Sequence, residues 1–165
     1  MKYRTGEMVA VLVSCLLVCG VSRPAPQRVD IAKSGETSLR STIGGKAIRV
    51  TFLTARVKGS DPGFPLALDY YDEVSIIQRM TIVVGGKTVW VPRSVYADLF
   101  NTRGASLRSE DGIYMLSIGG ADGADTYSVR VYFDGKRVIK RGVYDSFAPE
   151  KPSEETRYFP APPVG

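Results

Sequence analysis

The densest group of side chains that could do chemistry is Asp69-Tyr70-Tyr71-Asp72-Glu73. A glycan-cleaving site needs two carboxylates on either side of a sugar ring, and aromatic rings stack well on sugars. Asp69, Asp72 and Glu73 are therefore the candidates for a carboxylate-dependent glycan or cell-wall hydrolase. Their adjacency in sequence does not set the separation such a reaction needs, and the plain alternative is a solvated turn. A second candidate is Gly120-Ala121-Asp122-Gly123-Ala124-Asp125, where Asp122 and Asp125 could offer carboxylates to calcium. The segment lacks the spacing and terminal glutamate of a helix–loop–helix calcium loop, so a hairpin turn is the expectation.

A third candidate is basic. Arg130, Lys136, Arg137, Lys140 and Arg141 cluster around Tyr132 within a dozen residues. Such a group can dock an anionic partner: lipid head groups, an acidic envelope polymer or an acidic protein face. Its alternative role is to keep an exposed hairpin soluble and unpaired. Trp90, the single tryptophan, is the fourth candidate. It is expected to pack beneath a second layer; exposed, it would be a binding anchor.

Other chemistries are excluded by composition. The 165 residues contain no histidine, and the two cysteines, Cys15 and Cys19, both lie near the N-terminus. Imidazole general bases and Ser-His or Cys-His nucleophile pairs are therefore ruled out. The ordinary ligands of zinc, copper and haem are missing from the rest of the chain, so no metal or cofactor is expected.

The N-terminus predicts export. Lys2 and Arg4 precede an apolar run over residues 8–21. That run is short of the ~20 residues that cross a bilayer, and small residues follow it, as in a secretory signal. Cleavage is expected after Gly20 or Ser22. In the competing readings, Cys15 or Cys19 is the lipidated first residue of a lipoprotein, or the run is retained as an anchor or not exported at all. Arg23-Pro24-Ala25-Pro26 then opens an extended segment.

The remainder carries strand patterning with 44% apolar and 24% charged residues and a net charge of +5. Three β-rich stretches are interrupted by Gly44-Gly45, Gly85-Gly86 and Asp134-Gly135, each followed by lysine. These dipeptides supply the positive φ that two-residue hairpin turns need. In the second hairpin, the register predicts Val84 opposite Lys87, Ile82 opposite Val89 and Met80 opposite Val91, with those apolar residues on the core face. The third predicts Val129, Val131, Phe133 and Val138 inside, and Arg130, Tyr132, Arg137, Ile139 and Arg141 outside. A two-turn helix is predicted over 94–100, capped by Ser94. The proline-rich stretch over 147–165 is expected to be extended or disordered; its Ser153–Phe159 segment breaks the proline pattern and could add a strand to a partner or to its own sheet, but is expected to be a spacer with a weakly docked aromatic end.

The chain thus divides into a signal peptide (1–22), an extended lead-in (23–37), a β-rich domain (38–146) and a proline-rich tail (147–165). The fold class is all-β, built mainly of antiparallel hairpins in a small sandwich or partly open barrel, with one short helix. The function expected is that of an exported periplasmic or envelope-associated bacterial binding domain without catalytic activity. It would dock a protein or anionic envelope component through Arg130, Tyr132, Arg137 and Arg141, with Trp90 second. Nucleic acid is not expected as a partner, nor is membrane contact except through the signal or a lipid anchor. The alternatives are the carboxylate hydrolase and an immunity protein that inhibits a toxin.

Overall fold

The computed structural model describes residues 27–58, 72–120, 126–145 and 148–160. Cys15, Cys19, Asp69, Asp122 and Asp125 lie outside the described residues, as does the whole predicted signal.

Ten strands form two antiparallel sheets. In chain order they are β1 (Gln27–Asp30), β2 (Gly35–Ile43), β3 (Lys46–Val57), β4 (Val74–Val84), β5 (Lys87–Val89), β6 (Thr102–Glu110), β7 (Ile113–Gly120), β8 (Tyr127–Phe133), β9 (Val138–Asp145) and β10 (Pro152–Arg157). One sheet has the order β1-β6-β7-β8-β9-β10, the other β2-β3-β4-β5. Alternation builds the core between them. Ile48, Val50 and Phe52 of β3 face Leu116, Val129, Val131 and Phe133 of the larger sheet within one buried cluster.

The sheets are joined by backbone hydrogen bonds at their margins without closing into a barrel. At one margin the Asn101 amide, just before β6, donates to the Ser75 carbonyl of β4. On the far side, the Trp90 amide donates to the Lys136 carbonyl and the Val138 amide to Trp90. The expected all-β fold, a sandwich of antiparallel hairpins, is therefore present.

The first two hairpins form at the predicted turns, and the second keeps two of its three predicted pairings. Gly44, Gly45, Gly85 and Gly86 all take positive φ, the geometry of turns whose twist matches the flanking strands. Ile82 pairs with Val89 and Val84 with Lys87. The predicted pairing of Met80 with Val91 does not form. β5 stops at Val89 because the Trp90 backbone is committed to Lys136 and Val138, and Pro92 has no amide to donate.

Three further expectations are corrected. The two-turn helix over 94–100 is a single 3₁₀ turn, Arg93–Val95, whose capping position is Pro92 and not Ser94. The Asp134-Gly135 turn is a longer loop. The Asp134 carboxylate accepts from the Lys136 and Arg137 amides at 2.6 and 2.8 Å, and Phe133 pairs with Val138. The tail segment expected to be a spacer contains β10, which pairs along β9 from Arg157 opposite Lys140 to Pro152 opposite Tyr144. The lead-in likewise contributes β1 and the start of β2, so the sheets extend beyond 38–146 at both ends.

Candidate functional site

The geometry of the third hairpin decides what the basic cluster can do. Val129, Val131, Phe133 and Val138 are buried, as the alternation predicts. Tyr132 pairs with Lys140 and Phe133 with Val138, so Ile139 is an extra residue in β9. This bulge reverses the alternation beyond it. Arg141 therefore stands opposite Val131, on the core side, where it is 3% exposed. Its placement on the outer face is overturned. Arg141 donates to Asp98 at 2.5 Å and to Glu154 at 3.2 Å. Those two carboxylates come from the loop after the 3₁₀ turn and from β10.

Arg130 and Tyr132 do lie on the outer face, but the protein itself engages their neighbourhood. The Arg130 guanidinium sits 3.9 Å over the Tyr144 ring and donates to the Pro149 carbonyl at 2.8 Å. The Lys140 ammonium lies 4.7 Å over Tyr132 and pairs with Glu155 at 3.2 Å. Burial, then a hydrogen bond with Tyr132, pushes the Tyr144 phenol above its ordinary range. Glu155 is held below the usual carboxylate range, first by the hydrogen bond from Arg157 and then by that from Lys140. On the face predicted for docking, Arg130 and Lys140 are thus engaged by the protein's own Tyr144, Pro149, Tyr132 and Glu155, and the face stays partly exposed.

The open surface lies at the end of this hairpin. Trp90 is 58% exposed, against the expectation that it packs beneath a second layer. The reason is its position. Trp90 continues beyond the short β5 and bridges in parallel to Arg137, at a margin where, among the described residues, no further strand covers it. Arg137 in turn donates to the Tyr158 carbonyl at 3.2 Å. The Tyr158 amide donates to Ile139 at 2.9 Å, which continues the β10 ladder by one residue. Phe159 follows directly and is 78% exposed. Among the described residues, Trp90 and Phe159 are the exposed large hydrophobic side chains. Arg137 links them through the backbone, bridging to Trp90 and donating to the carbonyl that precedes Phe159. Tyr158 itself packs against the core, and its hydroxyl receives a hydrogen bond from Ser94 at 3.4 Å.

The sequence did not single out Asp98, and it marked Glu154 and Phe159 only as parts of a segment that could add a strand. The adjacent apolar pair Val138-Ile139, followed by Lys140-Arg141, breaks strict alternation and is the signal from which the bulge could have been read.

The carboxylate candidates are not assembled into a cleft among the described residues. Glu73 pairs with Arg56 at 2.9 Å, with both side chains half exposed, and Asp72 is exposed. Tyr127, deeper in the fold, donates to the Phe100 carbonyl at 2.6 Å, and burial raises its pKa. It is a structural phenol that joins a loop to the inner face of the larger sheet. Among the described residues, no group of three or more His, Cys, Asp or Glu is placed to hold a metal ion. In comparisons with known proteins, no family model matches the chain, and no curated protein or solved structure is significantly similar to it.

Proposed function

We propose that the protein is an exported, envelope-associated binding module that docks a protein partner through Trp90, Arg137 and Phe159 and catalyses no reaction. The observation that carries this reading is the pair of exposed aromatic side chains whose backbones the fold ties to one arginine: Trp90 bridges Arg137, and the Arg137 guanidinium donates to the carbonyl of Tyr158, the residue before Phe159. Tryptophan, arginine and other aromatic residues are the types that dominate binding energy at protein interfaces. An indole and a phenyl ring left in water on a soluble face cost solvation, and a partner that covers them recovers it. The two sheets hold the three residues from separate parts of the chain, so the surface is set before the partner arrives. The anionic character expected of the partner narrows to a carboxylate that meets Arg137, beside an apolar contact for the two rings.

The test is site-specific photo-crosslinking in the native cells. A photoreactive phenylalanine analogue at position 90 and at position 159 is expected to yield the same adduct. The adduct is expected to vanish with Arg137→Glu and to be absent from position 81, on the outer face of the smaller sheet. Different adducts from 90 and 159, or the same adduct from 81, would refute the reading.

A further inference from the structure

The smaller sheet carries an unusual charge arrangement. Its four strands contain six basic residues and one carboxylate, Glu36. The Gly44-Gly45 turn places Ile43 opposite Lys46, so Arg40 stands directly opposite Arg49. Both are exposed on the face away from the core, since Leu39, Ile48 and Val50 take the buried side. Like charges directly opposed across an antiparallel pair destabilise it. Neither arginine has a carboxylate within ion-pair distance among the described residues. Glu36 is four positions back along β2, about 13 Å at the rise of a strand. The pair lines an open concavity of about 510 Å³ with Ser41, Thr42, Val83 and Gln27.

Gln27 sets the orientation of this surface. It begins β1, so the chain that leads to the N-terminal apolar run leaves the domain from the rim of the arginine concavity. Seven residues separate Cys19 from Gln27, a reach of at most ~28 Å when fully extended. A chain whose apolar run is retained and lies at the membrane without crossing it, or that carries a lipid on Cys19, would therefore keep this face close to the bilayer.

We infer that Arg40 and Arg49 form a docking site for the headgroups of anionic phospholipids, so that the smaller sheet's outer face rests on the membrane surface. The inference rests on the N-terminal run remaining with the chain as an anchor, and not on the partner patch. The two surfaces are at opposite margins of the smaller sheet, β2–β3 and the end of β5.

The experiment is flotation of the full chain with vesicles of phosphatidylcholine, with and without phosphatidylglycerol. A basic side chain near an anionic surface strengthens binding by a factor of about five. Arg40→Gln with Arg49→Gln is then expected to lower partition onto the phosphatidylglycerol vesicles about 25-fold and to leave partition onto phosphatidylcholine unchanged. Arg28→Gln with Arg103→Gln, exposed arginines of the larger sheet's β1 and β6, is expected to change neither. Circular dichroism of each variant establishes that the fold is kept. Unchanged binding in the Arg40/Arg49 variant, or an equal loss in the Arg28/Arg103 variant, would overturn the assignment. A loss confined to Trp90→Ser would move lipid contact to the aromatic patch and overturn it equally. Tighter binding of wild type to duplex DNA than to anionic vesicles would reassign the site to a soluble polyanion.

Discussion

Arg141 provides the sharpest energetic prediction. Its guanidinium is buried and held by two carboxylates, while Asp98 and Glu154 keep 44% and 60% of their side chains in water. The pair of ion bridges is therefore asymmetric. Removing both carboxylates, as Asp98→Ala with Glu154→Ala, strands a charge that cannot reach solvent. Such losses cost 3–5 kcal/mol in fully buried pairs, and the exposure of the carboxylates places this case near ~3 kcal/mol. Removing the cation instead, as Arg141→Met, leaves two carboxylates that rehydrate in place. Methionine preserves the apolar stem, and the substitution also relieves the buried Nε, which has no hydrogen-bond partner among the described residues. The expected cost is then only about 0–1.5 kcal/mol. Urea unfolding followed by circular dichroism measures both variants against wild type, and a domain of this size should lose roughly 10 °C of Tm in the double alanine variant. If Arg141→Met costs as much as the double variant, Arg141 is a net stabiliser and the desolvation argument is wrong.

Other predictions concern separate parts of the fold. Arg40→Thr removes one of two opposed cations and is expected to raise stability by about 0.2–1 kcal/mol in the same assay; a loss would mean that the pair is compensated. Gly86→Ala, at φ +81° with open space around an added Cβ, is expected to cost about 1–2 kcal/mol through backbone strain alone. Glu155 has a folded-state pKa below its unfolded value, so its contribution is present above the ordinary carboxylate range and is lost as pH falls through the lowered value. Hydrogen exchange should accordingly find β10 losing protection relative to β8 in that acidic window, with Glu155→Gln removing the difference.

How much of this was legible in the sequence follows from which forces set each element. The first two hairpins were readable because Gly44-Gly45 and Gly85-Gly86 fix both turn type and register. The same counting places Arg40 opposite Arg49, a consequence open to anyone who folds the first hairpin on paper. The third hairpin was not readable from its dipeptide, because the Asp134 side chain caps two amides and converts the turn into a longer loop. The bulge at Ile139 then sent Arg141 inward. β10 has no apolar alternation, since Glu154 and Glu155 are drawn to Arg141 and Lys140 and the strand forms by edge pairing. Local pattern does not encode such pairing. Trp90 is exposed for a tertiary reason, the departure of its backbone from β5 to the larger sheet.

The candidate surface was accordingly half legible. Trp90 and Arg137 were identifiable by type, whereas Phe159 required the tail to be laid along β9.

The central claim is that Trp90, Arg137 and Phe159 form one docking surface. It is tested most directly by titrating the crosslinked partner into the protein and following the emission of Trp90, the chain's single tryptophan. Binding is expected to shift that emission toward the blue as the indole leaves water. Phe159→Ser and Arg137→Glu are each expected to weaken affinity by about 2 kcal/mol or more, roughly 30-fold. Affinities within about 0.5 kcal/mol of wild type in both variants, or an emission that does not move at saturation, would contradict it.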